Sequence, residues 1–582
     1  VSSVYPNKLK KMAAKDVEEN DKGFYEVRNP RSTNKLYDGA FQLEHWDPED
    51  DKFWANEGKT IAYRNLICSI PNLFLGFAIW LMWSIIVVVV QDTYFDTKKV
   101  CEAATQGVIS PTCPTYHFNK WIGDNPSDSD YKAALYTVQA VAGLSGGIMR
   151  LVNTFMIPMS GGRVTIALST IALMIPCIWA SEILKSKDAS FVQLVICAAL
   201  TGVGGGAFSS SMPNIRFFFP KRKIGLALGL NAGIGNLGVS MSQLVLPAIM
   251  AYNAFGSSDV HGSGTYGQNP GIYYAILCCI AVTMASFGMS NMPKEIHQLD
   301  SVWTCIGNWI AIHMLGVLST AISTVILIYT STQFTNAFKS PGTSIIRIFI
   351  LVMVSVVVSH ACLYYLVPSK VKTKILEQAV IFKNKHNFIM TYLYIMTFGS
   401  FIGFSGAFPK LMRDLFPDAR VKSYSWTCAF VGSIIRPVGG WMSDKWGGSA
   451  VTHWHTVLQT ATSFAVGIVC WKAKEKMNDG GDDSLFPWFV LLFNVLFYCT
   501  GVGNGSTFQM IGVIFDKFEG AAVLGWSSAI ASFGAFIIPA FFGVAIKQEK
   551  AEIVMYAMGA YYFSCLYMNY WYYYRKDAEK PC

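Results

Sequence analysis

Two arginines lie deep inside long apolar stretches of this sequence. Arg150 ends the run AALYTVQAVAGLSGGIMR and Arg436 lies within SYSWTCAFVGSIIRPVGGWM, with almost nothing acidic nearby. A charge at the middle of a membrane costs about 2.5–3.5 kcal/mol on insertion scales, so it is tolerated only where it faces a cavity or a partner. A guanidinium is planar and offers forked donors that bond two oxygens at once. The pair therefore predicts a site for a small anion.

The composition predicts that helices spanning a membrane position these residues. Of the 582 residues, 52% are hydrophobic and 14% are charged, which fits a polytopic helical membrane protein embedded in a lipid bilayer. Apolar runs of about 20 residues begin near positions 66, 133, 164, 191, 224, 271, 303, 345, 389, 424, 451, 486, 521 and 552. This pattern predicts about fourteen spans. The net charge of +9 is interpreted as topology, and no nucleic-acid partner is expected.

Lysine and arginine in the short loops predict the orientation. Placing both termini in the cytoplasm also places Lys221–Lys223, the basic run at 370–385 and Arg575–Lys576 there. An outward loop expected to carry Lys410, Arg413, Arg420 and Lys422 runs against this assignment. The expected location is the plasma membrane.

The chain divides into five predicted regions. They are a cytoplasmic arm (1–64), a six-helix bundle (65–295), an extra transmembrane hairpin with a basic cytoplasmic loop (296–387), a second six-helix bundle (388–575) and a short cytoplasmic tail (576–582). Within the arm, residues 46–54 are expected to form a short amphipathic helix at the membrane surface. Cys101 and Cys113 share an external loop, where pairing and free thiols both remain open.

Internal repetition indicates two related halves. Arg150 and Arg436 are each followed eleven residues later by a Gly-Gly pair. The second of these loops, GGWMSDKWGG, resembles the cytoplasmic loop motif of the major facilitator superfamily. Two further blocks, IGLALGLNAGIGNLGVSMSQ and GAAVLGWSSAIASFGAFIIP, each contain glycines nine residues apart. Parallel-repeat transporters have this organisation and bind substrate between the halves.

A more specific resemblance rests on motifs that occur in order along the chain. They are WDPEDDKFW with IAYRNL, NTFMIPMSGGR, FSSSMPNIRFFFPKRK, ALGLNAGIGNLGVS, YIMTFGSFIGFS, GSIIRPVGGWMSDKWGG and GSTFQMIGVIF. Together they resemble the nitrate/nitrite porter family, in particular the bacterial NarK type. The resemblance implies an all-α major facilitator fold of two pseudo-symmetric six-helix bundles. The arm, the external loop at 92–131 and the extra two-helix hairpin between the bundles fall outside the resemblance. A monomer is expected.

The resemblance also implies a substrate site lined from both halves. Carried over by motif, its residues are Arg150, Arg436, Asn236, Tyr394, Ser528, Gly525, Phe77, Phe208 and Phe398. The arginines would bind the anion, Tyr394, Asn236 and Ser528 would add neutral donors, and the phenylalanines would enclose the flat ion. Ala232 stands where the family usually carries glycine, which would tighten the cavity or change the preference between nitrate and nitrite.

Coupling is predicted from charge. Two unpaired guanidiniums roughly 6–8 Å apart repel by about 2–3 kcal/mol at an effective dielectric near 20, so an empty closed site is disfavoured and nitrate/nitrite exchange is expected. Proton-coupled nitrate symport, a nitrate receptor using the same cavity and a carrier of another small organic anion remain as alternatives. His313 and His360 of the hairpin read either as a proton relay or as ordinary packing residues, and His453 and His455 are expected to be solvated. Neither a cofactor, a metal nor an enzymatic activity is expected.

Overall fold

The computed structural model describes residues 42–582 with breaks at 92–127, 187–189, 257–263, 294–296, 298, 300, 333–339, 368, 418–420, 479–482 and 516. The described residues are almost entirely helical. Their only strand-like pairing is an isolated bridge between Gln42 and Asn291. The predictions for Cys101 and Cys113 and for residues 1–41 lie outside the described ranges.

Long helices follow one another through short connections. In chain order they are α1 (Asp51–Val90), α2 (Asp128–Asn153), α3 (Gly162–Lys185), α4 (Phe191–Phe218), α5 (Lys221–Met250), α6 (Asn269–Gly288), α7 (Val302–Thr332), α8 (Pro341–Tyr365), α9 (Lys385–Leu415), α10 (Val421–Ile434 and Arg436–Trp446), α11 (Gly448–Asn478), α12 (Phe486–Ile514), α13 (Lys517–Ser532 and Gly534–Lys547) and α14 (Ala551–Asn569). Short helical turns at Met156–Ser160, Ser369–Gln378 and Ala379–Lys383 connect some of them.

Eleven helical segments among the described residues are long and apolar enough to cross a membrane. Helices α10, α11 and α14 occupy the remaining predicted positions but fall outside that set. The all-α polytopic fold is therefore confirmed, whereas the number of fourteen spans stays a prediction.

Helix packing separates two groups and joins them along a seam. Within the first group α1 packs against α4 and α5, and α3 packs against α6. Within the second, α11 packs against α12 and α14, and α10 packs against α12. The seam is formed by α2 against α13 and by α5 against α10. In the hairpin, α7 packs on α2 and α3, while α8 touches α2 and α13, so the hairpin contacts both groups.

The predicted repeat is visible in the backbone at the two Gly-Gly loops. Gly161 has φ 71° and Gly447 has φ 89°, and each ends a short helix one residue before the next long helix begins. Residues other than glycine rarely adopt positive φ angles of this kind. Glycine in both loops is thus explained by the same backbone turn.

The two glycine-rich helices also match in their close contacts. A methyl group at Gly238 of α5 would overlap the carbonyl oxygen of Phe74 in α1, and one at Gly534 of α13 would overlap the carbonyl oxygen of Gly399 in α9. Each glycine therefore lets one helix approach the backbone of its neighbour within the same half.

The segment at 46–54 differs from its prediction. It does not form a separate surface helix, because Trp46 and Trp54 are 7% and 4% exposed and the helix continues from Asp51 directly into α1. The Trp46 indole nitrogen donates to the Phe217 carbonyl at 2.9 Å. Burial of two large indoles against the end of α4 outweighs placement at a lipid surface.

The expected outward loop begins later in the chain than predicted, and its Arg420 lies outside the described residues. Lys410 and Arg413 lie in the last turns of α9, and the Lys410 ammonium bonds the Asp414 carboxylate at 2.5 Å with both side chains 1% exposed. The rule that predicts orientation counts basic residues in loops, and a buried lysine paired with a carboxylate inside a helix is not one of them. Lys410 therefore does not argue against the predicted orientation.

Candidate functional site

Arg150 lies in the last turn of α2 and is fully buried. Its Nε donates to the Gly205 carbonyl at 2.9 Å and its Nη1 to the Ser528 carbonyl at 3.2 Å. Gly205 belongs to α4 and Ser528 to α13, so this one side chain bonds both halves. Nη2 has no hydrogen-bond partner among the described residues.

Arg436 is the first residue of the second part of α10 and is 7% exposed. Its guanidinium carbon lies 4.2 Å from the ring centroid of Phe401 and 5.6 Å from that of Phe398. Within the described part of the chain, Nε and Nη2 are both without a hydrogen-bond partner. These two nitrogens form the outer edge of the guanidinium, which is the edge that bonds two oxygens of one planar anion.

Aromatic rings surround both guanidiniums. The Arg150 guanidinium carbon lies 4.6 Å from the Phe398 centroid, 4.7 Å from Phe208 and 5.7 Å from Phe77. Phe208 stacks on Phe398 with centroids 6.2 Å apart, and Phe77 meets Phe208 edge-on at 6.1 Å. Phe398 contacts both arginines, so the predicted aromatic residues and the predicted cations meet at one place.

A local irregularity in α9 positions Tyr394 and Phe398. The helix widens to a π-turn over Ile395–Gly399, immediately after Tyr394. The two rings then stack with centroids 5.7 Å apart. Single π-turns inside α-helices occur often at functional sites.

The predicted neutral donors fall into two classes. The Tyr394 hydroxyl is buried and has no partner among the residues described. The Ser528 hydroxyl donates back to the Gly525 carbonyl at 3.1 Å, and the Asn236 amide nitrogen donates to the Ala232 carbonyl at 2.6 Å. Ser528 reaches Arg150 through its backbone carbonyl instead. Tyr394 is thus the free donor of the three.

Gly525 lies where the two halves meet beside Arg150. A methyl group there would be 3.6 Å from Cγ2 of Thr154, whose hydroxyl donates to the Arg150 carbonyl at 3.0 Å. This distance is an ordinary van der Waals contact, so a methyl group would fit at Gly525 without a steric clash.

No carboxylate compensates the two cations in the described portion of the chain. The ion pairs found there leave out both Arg150 and Arg436, which face rings and carbonyl oxygens. Burying charge without a counter-ion is expensive. The site is therefore suited to an anionic ligand that supplies the missing charge.

Comparison with known proteins identifies the family. The chain is 30% identical to the probable nitrate/nitrite antiporter NarK2 of Thermus thermophilus, over 93% of this chain and 98% of that protein. It is 29% identical to the nitrate/nitrite transporter NarU of Escherichia coli K12, with the same coverage. The chain belongs to the nitrate/nitrite porter family. No protein-family model matches it.

Solved structures place this porter in the major facilitator fold. It aligns with the partially occluded, inward-open xylose transporter XylE of E. coli at a TM-score of 0.52 and 13% identity, covering 87% of the porter and 97% of XylE. A D-xylose–proton symporter aligns at a TM-score of 0.54 and 14% identity, over 88% and 97% of the two chains. At this identity the likeness concerns the fold alone. With relatives that are named transporters, the porter is not an enzyme.

The histidines of the porter pack against aromatic rings or lie buried. His455 is 6% exposed, not solvated, and neither ring nitrogen has a partner in the described ranges. His453 stacks on Tyr574 with centroids 4.4 Å apart. In the hairpin, His313 stacks on Trp309 at 4.3 Å and His360 Nδ1 lies 2.8 Å from the Val356 carbonyl of its own helix. The His360 ring also meets Trp526 of α13 edge-on at 5.8 Å, so the hairpin histidines make packing contacts, one of them with the second half.

Two polar features of the porter escaped sequence reasoning. One is the buried Lys410–Asp414 pair, and the other is Asn504, which is 1% exposed with both amide atoms unpartnered among the described residues. Over the described ranges no three His, Cys, Asp or Glu side chains are placed to hold a metal ion.

Proposed function

We propose that this protein carries nitrate and nitrite across a membrane by alternating access, binding the anion between Arg150 and Arg436. The observation that carries the proposal is the set of buried guanidinium nitrogens left without partners: Nη2 of Arg150 and the Nε–Nη2 edge of Arg436. A planar monoanion with oxygens at its corners would pair with these nitrogens and neutralise part of their charge. Phe77, Phe208 and Phe398 would enclose its faces.

The other predicted residues fit this site in different ways. Tyr394 would donate its hydroxyl to the anion. Ser528 would hold Arg150 through its carbonyl oxygen, and Gly525 would shape the contact between the halves beside Thr154. Asn236 uses one amide hydrogen on the Ala232 carbonyl and would donate the second to the anion. The names of the relatives support nitrate and nitrite as substrates.

Exchange is the mode of coupling we propose. An empty site would bring two buried cations together without a counter-ion, so closure of the unloaded carrier is disfavoured. An anion bound during each change of conformation supplies the counter-ion and removes this electrostatic cost. The protein would then return loaded, taking nitrate in one direction and nitrite in the other.

The proposed setting is the plasma membrane, with a monomeric protein and both termini in the cytoplasm. Contacts at the ends of the helices support grouping the termini with the basic loops. Asp51, near the start of the described chain, pairs with Arg222 at the start of α5, and Glu579 of the tail pairs with Lys385 at the start of α9 at 2.7 Å. Basic residues of this kind collect on the cytoplasmic side. The division into arm, two bundles, hairpin and tail is proposed with the bounds given above.

Replacing either arginine with lysine tests the binding site. Arg150→Lys and Arg436→Lys keep the positive charge but lose the forked donors, so nitrate uptake into proteoliposomes is expected to fall to background, a loss of about 100-fold or more. The control is Arg222→Lys, at an exposed arginine paired with Asp51, which should retain wild-type uptake. Normal uptake by Arg150→Lys or Arg436→Lys would refute the proposed site.

A further inference from the structure

Asn504 is a buried amide with no assigned task. It lies in α12 between Gly503 and Gly505 and is 1% exposed. Neither Nδ2 nor Oδ1 has a hydrogen-bond partner in the part of the chain that the structure describes. Leaving such a group unpaired in the interior is costly, so its presence calls for a ligand or another partner.

The two glycines that flank Asn504 bring it to the elements that carry the anion site. A methyl group at Gly505 would lie 2.6 Å from the Arg436 carbonyl oxygen. One at Gly503 would lie 2.5 Å from Cγ2 of Thr397, the residue before Phe398. Helix α12 therefore touches α10 at Arg436 and α9 at Thr397, on either side of Asn504.

The Asn504 amide also lies beside the Tyr394 hydroxyl, without a hydrogen bond of normal geometry between them. Tyr394 in turn stacks on Phe398 with centroids 5.7 Å apart, and Phe398 contacts both Arg150 and Arg436. Four side chains with unpartnered polar atoms among the described residues thus come together: Arg150, Arg436, Tyr394 and Asn504. An asparagine amide has two donor hydrogens and one acceptor oxygen. Nδ2 carries both of these donor hydrogens and can therefore donate to an anion while Tyr394 donates its own hydroxyl hydrogen to the same anion.

We propose that Asn504 is a further anion-binding residue, whose Nδ2 donates to the third oxygen of nitrate and thereby sets a preference for nitrate over nitrite. This inference rests on the proposed function. Nitrate has three oxygens and nitrite has two. When the Nε–Nη2 edge of Arg436 bonds two oxygens, nitrate has one oxygen left for Asn504 and nitrite has none.

The preference follows from the difference in unpaired groups. With nitrate bound, the Asn504 amide gains a partner that carries negative charge. With nitrite bound, the amide stays unsatisfied in a site that excludes water. A site with a buried donor discriminates against a ligand that lacks the matching acceptor.

Asn504→Ala in proteoliposomes tests the assignment, with the KM for nitrate and for nitrite measured on the same preparation. We expect the KM for nitrate to rise by about five- to tenfold and that for nitrite by less than about twofold. The ratio of the two KM values does not depend on how much of the protein is active. Asn494→Ala is the matched control: Asn494 lies ten residues earlier in α12 and donates to Thr427 at 3.2 Å and Val490 at 2.8 Å, so its ratio should match the wild type.

Equal changes in both KM values, or no change, would overturn the role of Asn504. If Asn504→Ala does not transport, thermal stabilisation of the purified variant by each anion replaces the KM. Stabilisation retained with nitrite and reduced with nitrate supports the inference, and equal retention or equal loss overturns it. Failure of the wild-type protein to carry either anion would instead refute the proposed function, which separates the two.

Discussion

The two arginines are held in different ways, and this difference suggests different tasks. Arg150 bonds two carbonyl oxygens, one in each half, and keeps a single free nitrogen. Arg436 rests on Phe401 and Phe398 and keeps its forked edge free of described partners. We therefore expect Arg150 to link the two halves through its carbonyl contacts. We expect Arg436 to bond two oxygens of the anion.

The buried ion pair on α9 gives a residue-scale prediction for stability. Asp414→Asn would leave the Lys410 ammonium buried without its counter-ion, and breaking such a pair typically costs about 3–5 kcal/mol. We expect the melting temperature of the purified protein to fall clearly. The double variant Lys410→Met with Asp414→Leu should recover most of the loss, because it removes both charges. An Asp414→Asn variant as stable as the wild type would show that the pair does not stabilise the fold.

Sequence reasoning found the cations and missed their polar neighbours for a physical reason. A guanidinium within an apolar run has a large, unconditional cost, so Arg150 and Arg436 stand out. Asn504 is uncharged, so its place in an apolar run does not mark it, and its two unpaired amide atoms become visible only in the structure. Asp414 lies four residues after a lysine near a helix end, and whether that end is buried depends on the tertiary packing.

At the scale of helices, the glycine-rich blocks act by close approach, and glycines of one block offer a matched test. A methyl group at Gly238 would overlap the Phe74 carbonyl oxygen, whereas one at Gly229 of the same helix would meet no described atom within 4 Å. Gly238→Ala should therefore separate α5 from α1 and strongly reduce transport and the yield of monodisperse protein. Gly229→Ala should leave both near wild type. Equal behaviour of the two variants would contradict the close-approach role.

The helices themselves were largely predictable, and their irregularities were not. Apolar runs of membrane length located α1 to α9 because backbone groups in lipid must be bonded within helices. The π-turn at Ile395–Gly399 and the break of α10 before Arg436 depend on how neighbouring helices pack. Both irregularities lie at the candidate site, so the sequence proposed residues for it but not the geometry that brings them together.

Across the whole molecule, the halves are joined on the side away from the basic loops. Gln243, near the far end of α5, donates to the Ser405 carbonyl of α9 at 2.8 Å. The Lys410 ammonium lies 5.1 Å from the Tyr136 ring centroid, again across the seam. These two contacts hold the halves together at that end of the helices.

The hairpin α7–α8 has no counterpart in the internal repeat and lies against the seam. Phe349 of α8 meets Phe541 of α13 at 5.7 Å, while Ile350, Met353 and Val357 are at least half exposed, as expected for a face in lipid. The hairpin would therefore have to follow any rocking of the halves. The number of apolar runs in the sequence indicated the hairpin. Its position beside α2 and α13 became known only from the helix packing.

Counterflow in liposomes tests most directly the claim that the cationic site changes the side of the membrane it faces only when an anion is bound. Liposomes containing the purified protein are filled with nitrite or with an inert buffer, and initial uptake of labelled nitrate is measured with and without a pH gradient. We predict that internal nitrite accelerates nitrate uptake severalfold and that the pH gradient has little effect. Uptake that ignores internal nitrite and follows the pH gradient would contradict exchange and favour proton symport.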